Sequence, residues 1–266
     1  MAHFAPGAAP DPDQCPYDIL GMAIDSPAAH DSGAHCHQQA LLMYCTRGVL
    51  EIQIGERYCL LPPTLAAWIP AGLPHSARAS KPYSYRSLYF KPDLLTGLPA
   101  YGTVLGINAL SREVIVRIAE WPLAPPDGPL LRLMQVLADE LRLAPEQALS
   151  LPLPQDRRLV KLCERLLADP GDPATLDALA VSVGASRKTI HRLFVQQTGL
   201  HFAAWRQQLR IMNARKRLEE GEPVGRVAAD LGYAQESAFI AMFRKATGIT
   251  PGRLRRGASN GSGSRE

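Results

Sequence analysis

The sequence LAVSVGASRKTIHRLF at residues 179–194 is repeated in outline by VAADLGYAQESAFIAMF at residues 227–243. Gly184 of the first copy corresponds to Gly232 of the second at an offset of 48 residues, and each copy is soon followed by a Thr-Gly pair. Internal repetition is the first pattern to interpret, because it determines how the rest of a chain is divided. Two copies indicate a pair of similar modules and not a solenoid.

Each copy has the layout of two short helices joined at a glycine, which can adopt the left-handed conformation that such a turn requires. Ala180 and Ala228 are small enough to let the second helix cross close to the first. Ser186 is placed to cap the N-terminus of the second helix of the first copy. The pattern predicts helix-turn-helix units over residues 175–197 and 224–246.

A continuous helical pattern connects the two copies, from Phe202 to Glu219. Its apolar residues recur at intervals that are mostly three or four residues; they are Trp205, Leu209, Met212 and Leu218. At ~1.5 Å per residue this helix is ~25 Å long, enough to hold two DNA-contacting helices about one turn of the double helix apart.

Three motifs in fixed order resemble the bipartite DNA-binding domain of AraC/XylS-type bacterial transcription regulators. They are SRKTIHRLF at 186–194, LRIMNARKRL at 209–218, and GYAQESAFIAMFRKATGITPGRLR at 232–255. The resemblance implies a sequence-specific regulator that binds double-stranded promoter DNA, works with RNA polymerase and more often activates than represses. It also implies a small-molecule effector and a homodimer. A cytoplasmic location is expected for a different reason, because the sequence shows no membrane span and no secretory signal.

Residue-by-residue correspondence with that family assigns the first set of DNA contacts. Lys188, His191 and Arg192 are expected at base edges, and Arg192 has the bidentate geometry that suits guanine. The resemblance places three further residues nearer to phosphates: Ser186, Arg187 and Thr189. The alternative is a basic helix face that is only solvated.

The second copy presents a nearly neutral set at the equivalent positions. These candidate DNA contacts are Gln235, Glu236, Ser237, Ile240 and Ala241, followed by Arg244. Glu236 suits the amino group of cytosine, and Ile240 or Ala241 suits the methyl group of thymine. Equally, this helix could lie on the DNA backbone and add little specificity.

The charge of the chain divides between its halves. Residues 157–256 contain 18 Lys/Arg and 9 Asp/Glu, whereas residues 1–156 contain 10 and 15. A basic C-terminal half suits phosphate neutralisation. The sequence has no apolar run long enough for a membrane span and no secretory signal pattern, so a membrane partner is not expected. Five cysteines without CxxC spacing argue against a disulfide framework or a zinc ribbon.

Short apolar runs broken by Gly and Pro extend from Tyr17 to Phe90. VLEIQIG at residues 49–55 alternates as a half-buried strand does. Such strands indicate a sandwich or barrel whose interior can hold a small ligand. The first 16 residues, rich in Ala, Pro, Gly and Asp, are predicted to form a disordered arm.

Two histidine clusters resemble the paired motifs of the cupin barrel: His35-x-His37, and Pro-x-Gly-x2 before His75. The three imidazoles could complete a facial set for a divalent metal. The cupin metal pattern also expects a glutamate four or five residues after the second histidine, where this chain has Leu41 and Leu42. The alternative is that the histidines line an effector pocket without metal, and no cofactor is required.

Aromatic residues of the predicted strands are further candidates for the effector pocket, although at strand spacing they are more often core. The candidates are Tyr44, Trp68, Tyr83, Tyr85 and Tyr89. Together with the three histidines, Tyr44 and Trp68 form the predicted pocket.

The pattern becomes helical over residues 111–121 and 129–143. The apolar stripes of these helices either form a dimer interface, as the family resemblance implies, or cover the protomer's own barrel. A proline-containing linker at residues 147–156 then separates a cupin-like effector and dimerisation domain (17–146) from the DNA-binding domain (157–256). Residues 257–266 are a Gly/Ser-rich tail, predicted to be flexible.

The predicted fold class is thus a two-domain protein. An N-terminal all-β cupin-like barrel is followed by helices, and the C-terminal domain is an all-α bipartite helix-turn-helix domain. A metal-dependent cupin enzyme with an appended nucleic-acid-binding domain is the competing function. A third possibility, a binder without sequence preference, predicts affinity that depends on salt alone.

Overall fold

The computed structural model describes residues 3–5, 8–147 and 150–260, except for the side chains of residues 93 and 257–260. The chain divides into two compact domains, Met1–Ser150 and Leu151–Glu266. The division falls within the predicted linker. β11 (Ser150–Pro152) lies at this point. Among the described residues, no helix combines the length and the apolar character needed to cross a lipid bilayer.

The N-terminal domain contains two sheets, mostly antiparallel. The first sheet has the order β1 (His3–Phe4), β2 (Ile19–Ser26), β9 (Tyr83–Phe90), β4 (Ala40–Arg47), β7 (Leu65–Ile69) and β10 (Thr103–Gly106). The second sheet contains, in order, β6 (Arg57–Leu61), β5 (Leu50–Ile54), β8 (His75–Ala79) and β3 (His30–Asp31). In this sheet, β5 is the predicted alternating strand, with Ile52 and Ile54 buried and Gln53 exposed. It forms a hairpin with β6.

The first sheet is buried on both faces, because two helices cover the face that does not contact the second sheet. These helices are α1 (Ala109–Ala119) and α2 (Gly128–Leu143). In β4, Leu42 and Tyr44 pack in the cluster that contains the helices, whereas Leu41 and Met43 face the interior between the sheets. The apolar stripes of both helices therefore cover the protomer's own sheet, one of the two outcomes that the sequence left open.

The predicted disordered arm is wrong for the part of it that the structure describes. His3 and Phe4 pair with Ala23 and Ile24 of β2 in a short parallel strand. Further along, Pro12 is buried, and its carbonyl accepts a hydrogen bond from Gln39 Nε2 at 3.0 Å. Composition alone did not reveal that these few apolar groups have a surface to pack against.

The C-terminal domain is all-helical. Its helices are α3 (Arg157–Ala168), α4 (Leu176–Ser182), α5 (Arg187–Thr198), α6 (Phe202–Glu219), α7 (Val224–Asp230), α8 (Glu236–Thr247) and α9 (Pro251–Asn260). We call α4 with α5 the first HTH and α7 with α8 the second HTH. The helix α9 includes residues 257–260, so the predicted flexible tail is wrong for their backbone; residues 261–266 lie outside the described part.

The helix α6 contributes to the cores on both sides of it. Near its N-terminus, the ring of Trp205 meets Phe194 of α5 edge to face, with centroids 5.6 Å apart. Towards its C-terminus, Ala214 and Leu218 belong to the buried cluster of the second HTH, together with Phe239. One helix therefore holds both HTH units, as the continuous apolar pattern predicts.

Candidate nucleic-acid interface and ligand cavity

The recognition helix of the first HTH, α5, begins directly after a capping serine. Ser186 Oγ accepts a hydrogen bond from Thr189 N at 3.2 Å, and the two hydroxyl oxygens are 2.9 Å apart. Arg187 Nη1 donates to Asp177 Oδ2 at 3.1 Å. The three residues that the sequence places near phosphates thus form the polar N-terminal end of α5.

The residues predicted to contact base edges form an exposed face of α5. Lys188, His191 and Arg192 are all exposed, while Ile190 and Phe194 on the other side are fully buried. A helix in the major groove of DNA needs a solvent-facing row of this kind. His191 also stacks on His201, which lies just before α6, with ring centroids 5.1 Å apart.

The recognition helix of the second HTH, α8, starts without a side-chain cap, because Gln235 makes no capping hydrogen bond. The exposed candidates are Gln235, Glu236, Ser237, Ala241 and Arg244. Ile240 differs from them, since it is half-buried and packs against the core of the second HTH. Of the two apolar candidates, Ala241 is therefore the more accessible to a thymine methyl.

The N-terminal domain contains a cavity of about 220 Å³ between its sheets. Most of its wall is apolar. The lining residues on which the following description depends are Leu41, Met43, Tyr83, Tyr85, Tyr89, His35, His37 and His75. Three residues of the N-terminal segment, Ala9, Pro10 and Pro12, complete the wall, and no sequence pattern pointed to them.

Three histidines of this cavity form a compact cluster. The ring centroids of His35 and His75 are 4.5 Å apart, those of His35 and His37 4.9 Å, and those of His37 and His75 5.3 Å. One ring nitrogen from each lies within 4.8 Å of the other two. His37 also meets Tyr89 edge to face. The structure thus brings together the two clusters that the sequence separates by almost 40 residues.

Backbone carbonyls determine which nitrogen of His35 and His75 carries the proton. His35 Nδ1 lies 3.0 Å from the carbonyl oxygen of Gly33, and His75 Nδ1 lies 3.0 Å from that of Leu73. A carbonyl only accepts hydrogen bonds, so Nδ1 donates in both rings and Nε2 of a neutral ring has a free lone pair. Within the part of the chain that the structure describes, His75 Nε2 and His37 Nε2 are buried without a hydrogen-bond partner.

Burial favours the neutral form of two of these imidazoles, His37 and His75. It lowers the pKa of His75 to about 4; the Leu73 carbonyl opposes this shift, and the neighbouring His35 and His37 add to it. The pKa of His37 is lowered by burial and then by His35. At neutral pH, His37 and His75 therefore present uncharged rings to the cavity.

Two of the predicted pocket residues, Tyr44 and Trp68, lie on the wrong side of the sheet. Both belong to the buried cluster that packs against α1 and α2. Tyr44 Oη donates to the Pro63 carbonyl at 2.7 Å, and Trp68 Nε1 to the Pro99 carbonyl at 2.8 Å. The other three aromatic candidates, Tyr83, Tyr85 and Tyr89, do line the cavity.

A scan against family models finds an AraC-like ligand binding domain over residues 23–180 and a helix-turn-helix domain over residues 179–257. The fold and the two sites thus define a regulator with one ligand-binding and one DNA-binding module. The chain belongs to the AraC family of transcriptional regulators. This confirms the family and the fold class that the sequence predicts.

Among curated proteins, the chain is similar to the HTH-type transcriptional regulator NimR of Escherichia coli (strain K12), with 34% identity over 223 residues, covering 84% of this chain and 81% of NimR. It is also similar to the HTH-type transcriptional regulator RipA of Corynebacterium glutamicum, with 32% identity over 113 residues, 42% of this chain and 34% of RipA. A solved structure of ToxT from Vibrio cholerae aligns over 90% of this chain and 98% of ToxT at 8% identity and a TM-score of 0.39.

Proposed function

We propose that this regulator binds its effector in the histidine cavity. The observation that carries the proposal is the pair of buried ring nitrogens, His37 Nε2 and His75 Nε2, which have no hydrogen-bond partner among the described residues. His75 Nε2 is an acceptor, because Nδ1 of the same ring donates to the Leu73 carbonyl. Leaving a buried acceptor unpaired costs about 1–3 kcal/mol, a cost that a hydrogen-bond donor on a ligand removes. The proposal thus concerns a ligand that contributes at least one donor.

The cavity also limits the size and polarity of the effector. A volume of about 220 Å³ is small for a ligand pocket. Its apolar wall and its aromatic rings favour a compact, largely apolar molecule. We therefore expect a small molecule with a hydrocarbon or aromatic body and one or two N–H or O–H groups directed at the imidazoles. Such an effector acts by its different affinity for the conformations of the regulator.

The experiment uses the full chain and a panel of small phenols, aliphatic alcohols and primary amides, with thermal stabilisation as the readout. His37→Phe keeps a ring against Tyr89 but removes the ring nitrogens, so compounds that stabilise the wild type should lose their effect. Tyr44→Phe is the matched control, because Tyr44 lies on the opposite face of the same sheet. Equal responses of wild type and His37→Phe to every compound would refute this location.

A divalent cation is a second candidate occupant. His35, His37 and His75 fit a three-nitrogen ligand set, since two of them direct a lone pair away from a carbonyl-bound Nδ1. The cupin pattern expects a glutamate at position 41 or 42. This chain has Leu41, which lies on the cavity wall, and Leu42, which faces the helices. A bound ion would supply a positive centre for an anionic or carbonyl group of an effector.

Titration of the metal-free protein with Co²⁺ tests this candidate through the visible absorption of the ion. A spectrum that saturates at one ion per chain, and that His75→Leu abolishes, would establish the site. Stoichiometric iron together with substrate turnover would instead favour the cupin enzyme, although the relatives found are transcriptional regulators.

For the DNA-binding domain we propose that α5 contributes most of the sequence discrimination. Its exposed Lys188, His191 and Arg192 support this role, because lysine and arginine donors match the acceptors of guanine in the major groove. The proposal includes activation of transcription together with RNA polymerase in the cytoplasm. A reporter gene placed behind selected binding sites, with and without the regulator, distinguishes activation from repression.

We also propose a homodimer formed through the helical layer of the N-terminal domain. Although α1 and α2 cover their own sheet, α2 leaves Leu131 44% and Val136 40% exposed. A groove of about 470 Å³ beside Leu131 is lined by Leu94 and Met134 as well. Leu131→Lys should convert the dimer to a monomer in light scattering at micromolar concentration; a monomeric wild type would disprove the proposal.

A further inference from the structure

A groove of about 650 Å³ lies in the C-terminal domain between the two recognition helices. The helix α5 contributes Arg187 and His191 to its wall, and α8 contributes Met242. Its floor includes Arg206 and Arg210 of α6. The groove is thus bordered by both helices that the family uses to bind DNA.

The two floor arginines are held in place by neutral partners. Arg206 Nη1 donates to the Ala174 carbonyl at 2.8 Å, and Arg210 Nε donates to the Pro170 carbonyl at 3.0 Å. Arg206 Nε is buried, and no described residue forms a hydrogen bond with it. Carbonyl groups fix the direction of a guanidinium group without neutralising its charge, so these contacts position two cations and leave them charged.

Compensating negative charge does not come from the lining of the groove itself. None of the described residues that line it is acidic. Asp172, a buried carboxylate that acts on Arg206, is already paired with Arg165, with Nε and Oδ2 2.6 Å apart. Burial lowers the pKa of Arg206, and the positive charge of Arg210 lowers it further, whereas Asp172 and Asp169 oppose the shift. Two like charges held together in a partly desolvated groove are stabilised by an anion.

The position of the groove indicates which anion approaches it. When two recognition helices enter successive major grooves, the DNA backbone that separates those grooves passes between the helices. This backbone carries closely spaced phosphates. We propose that the groove receives phosphates of this intervening backbone, so that α6 is a third DNA-contacting element through Arg206 and Arg210.

This inference rests on the proposed binding of DNA by both recognition helices, and it adds a sequence-independent contact between them. Phosphate contacts fix the register of a protein on the duplex and carry no base information. Loss of a groove cation should therefore weaken binding to matched and mismatched sites by the same factor, whereas loss of a base contact should not.

Gln207 provides the sharpest test, because it is an exposed, uncharged residue of the groove wall. Gln207→Lys should tighten binding to a duplex of unselected sequence and steepen the dependence of log K on log salt by about one. Gln207→Glu should weaken binding and flatten that dependence. Lys216→Gln is the control, since Lys216 lies about 180° around α6 from Gln207.

Arg206→Gln tests the floor directly, with thermal unfolding of the full chain as a check that it remains folded. We expect equal fold-losses on matched and mismatched duplexes and a shallower salt dependence. If the wild type prefers its selected site but both Gln207 variants keep wild-type affinity and salt dependence, the groove inference is wrong. If the wild type shows no site preference, the failure lies with the proposed mode of DNA binding instead.

Discussion

The first and second HTH close their helices with the same hydrogen bonds. At the end of α5, Thr198 Oγ1 donates to the Phe194 carbonyl at 2.7 Å; at the end of α8, Thr247 Oγ1 donates to the Phe243 carbonyl at 2.8 Å. A left-handed glycine follows the threonine in both cases. The repeated residues of the sequence are thus those that form turns, ends and cores.

The two units differ in the residues that the repeat does not preserve. The start of α5 has a side-chain cap from Ser186, while α8 has none from Gln235. The exposed face of α5 is cationic, and that of α8 is nearly neutral before Arg244. In this chain the two units therefore share their turn, end and core residues and differ on their exposed faces, so the shared residues account for the common fold and the exposed ones for the proposed difference in DNA contacts.

The two HTH units also differ in the buried carboxylate that precedes each of them, because the pKa of one is lowered and that of the other is raised. Asp172 precedes α4, accepts a hydrogen bond from Ala174 N and pairs with Arg165, and these contacts lower its pKa. Glu219 precedes α7 and lies 3.7 Å from Arg215, too far for a hydrogen bond. Burial raises the pKa of Glu219 to about 7, and Arg215 opposes the shift.

The largest expected effect is a pH-dependent loss of stability at Glu219. A carboxyl whose pKa is raised by folding contributes stability below its unfolded pKa, and this contribution disappears as the pH rises through the folded value of about 7. The wild type should therefore lose about 2–3 kcal/mol relative to Glu219→Gln between pH 5 and pH 8. Urea unfolding of both full chains at the two pH values measures the difference. A constant gap would show that Glu219 is ionised throughout.

Arg192→Ala should cause the largest loss of DNA discrimination. Removal of a bidentate guanine contact costs about 1–3 kcal/mol, roughly a 5- to 150-fold decrease in preference for the matched site. Ser237→Ala and Ala241→Gly in α8 should change that preference little. Competition binding with single-base variants of a selected site gives the ranking, and the reverse order would place specificity in the second HTH.

Replacing each of the two turn glycines by alanine should destabilise the protein by different amounts, because the glycines have different surroundings. Gly184 and Gly232 both have positive φ, at 66° and 79°, so alanine costs about 1–2 kcal/mol at either position. At Gly184 a Cβ meets nothing within 4 Å, but at Gly232 it would lie 2.9 Å from the Gly171 carbonyl oxygen. Gly232→Ala should therefore destabilise more in chemical unfolding. Equal losses would mean that the loop containing Gly171 moves away from the added Cβ without a cost in unfolding free energy.

The smallest effect is expected at the helix caps. Ser186→Ala removes a capping hydrogen bond and should cost about 1 kcal/mol, whereas Gln235→Ala should be nearly neutral. Thermal unfolding of the two variants tests this. A comparable loss in Gln235→Ala would indicate a contact of that side chain beyond helix capping.

The sequence predicted the C-terminal domain closely because its signals are local. The predicted HTH units at 175–197 and 224–246 lie within one or two residues of the helices that form them. Helical periodicity, a capping serine and turn glycines each act over a few residues. The groove between the HTH units was not predicted, since its cations come from α6 and its walls from helices far apart in the sequence.

The N-terminal domain was predicted less well because strand register is a long-range property. Tyr89 reaches the cavity since it pairs with Leu41, 48 residues earlier, and shares its face of the sheet. Alternation shows that Tyr44 and Leu41 face opposite ways, but it does not show which face meets the helices. The two irregular residues between His37 and β4 break the alternation that could have connected them.

By itself the sequence determined the two-domain organisation, the duplicated HTH, the family and the histidine motifs, because these depend on residue types at fixed short spacings. The folded chain shows in addition that the backbones of His35 and His75 form two hydrogen bonds with each other, at 2.9 and 2.8 Å. These bonds hold the imidazole rings of the two motifs together. Only the tertiary structure decided that the helical stripes cover their own sheet and that Arg206 and Arg210 share a groove. Which groups are buried or left without a partner depends on contacts between segments that are far apart in the chain. The spacing of residues within one segment carries no information about those contacts.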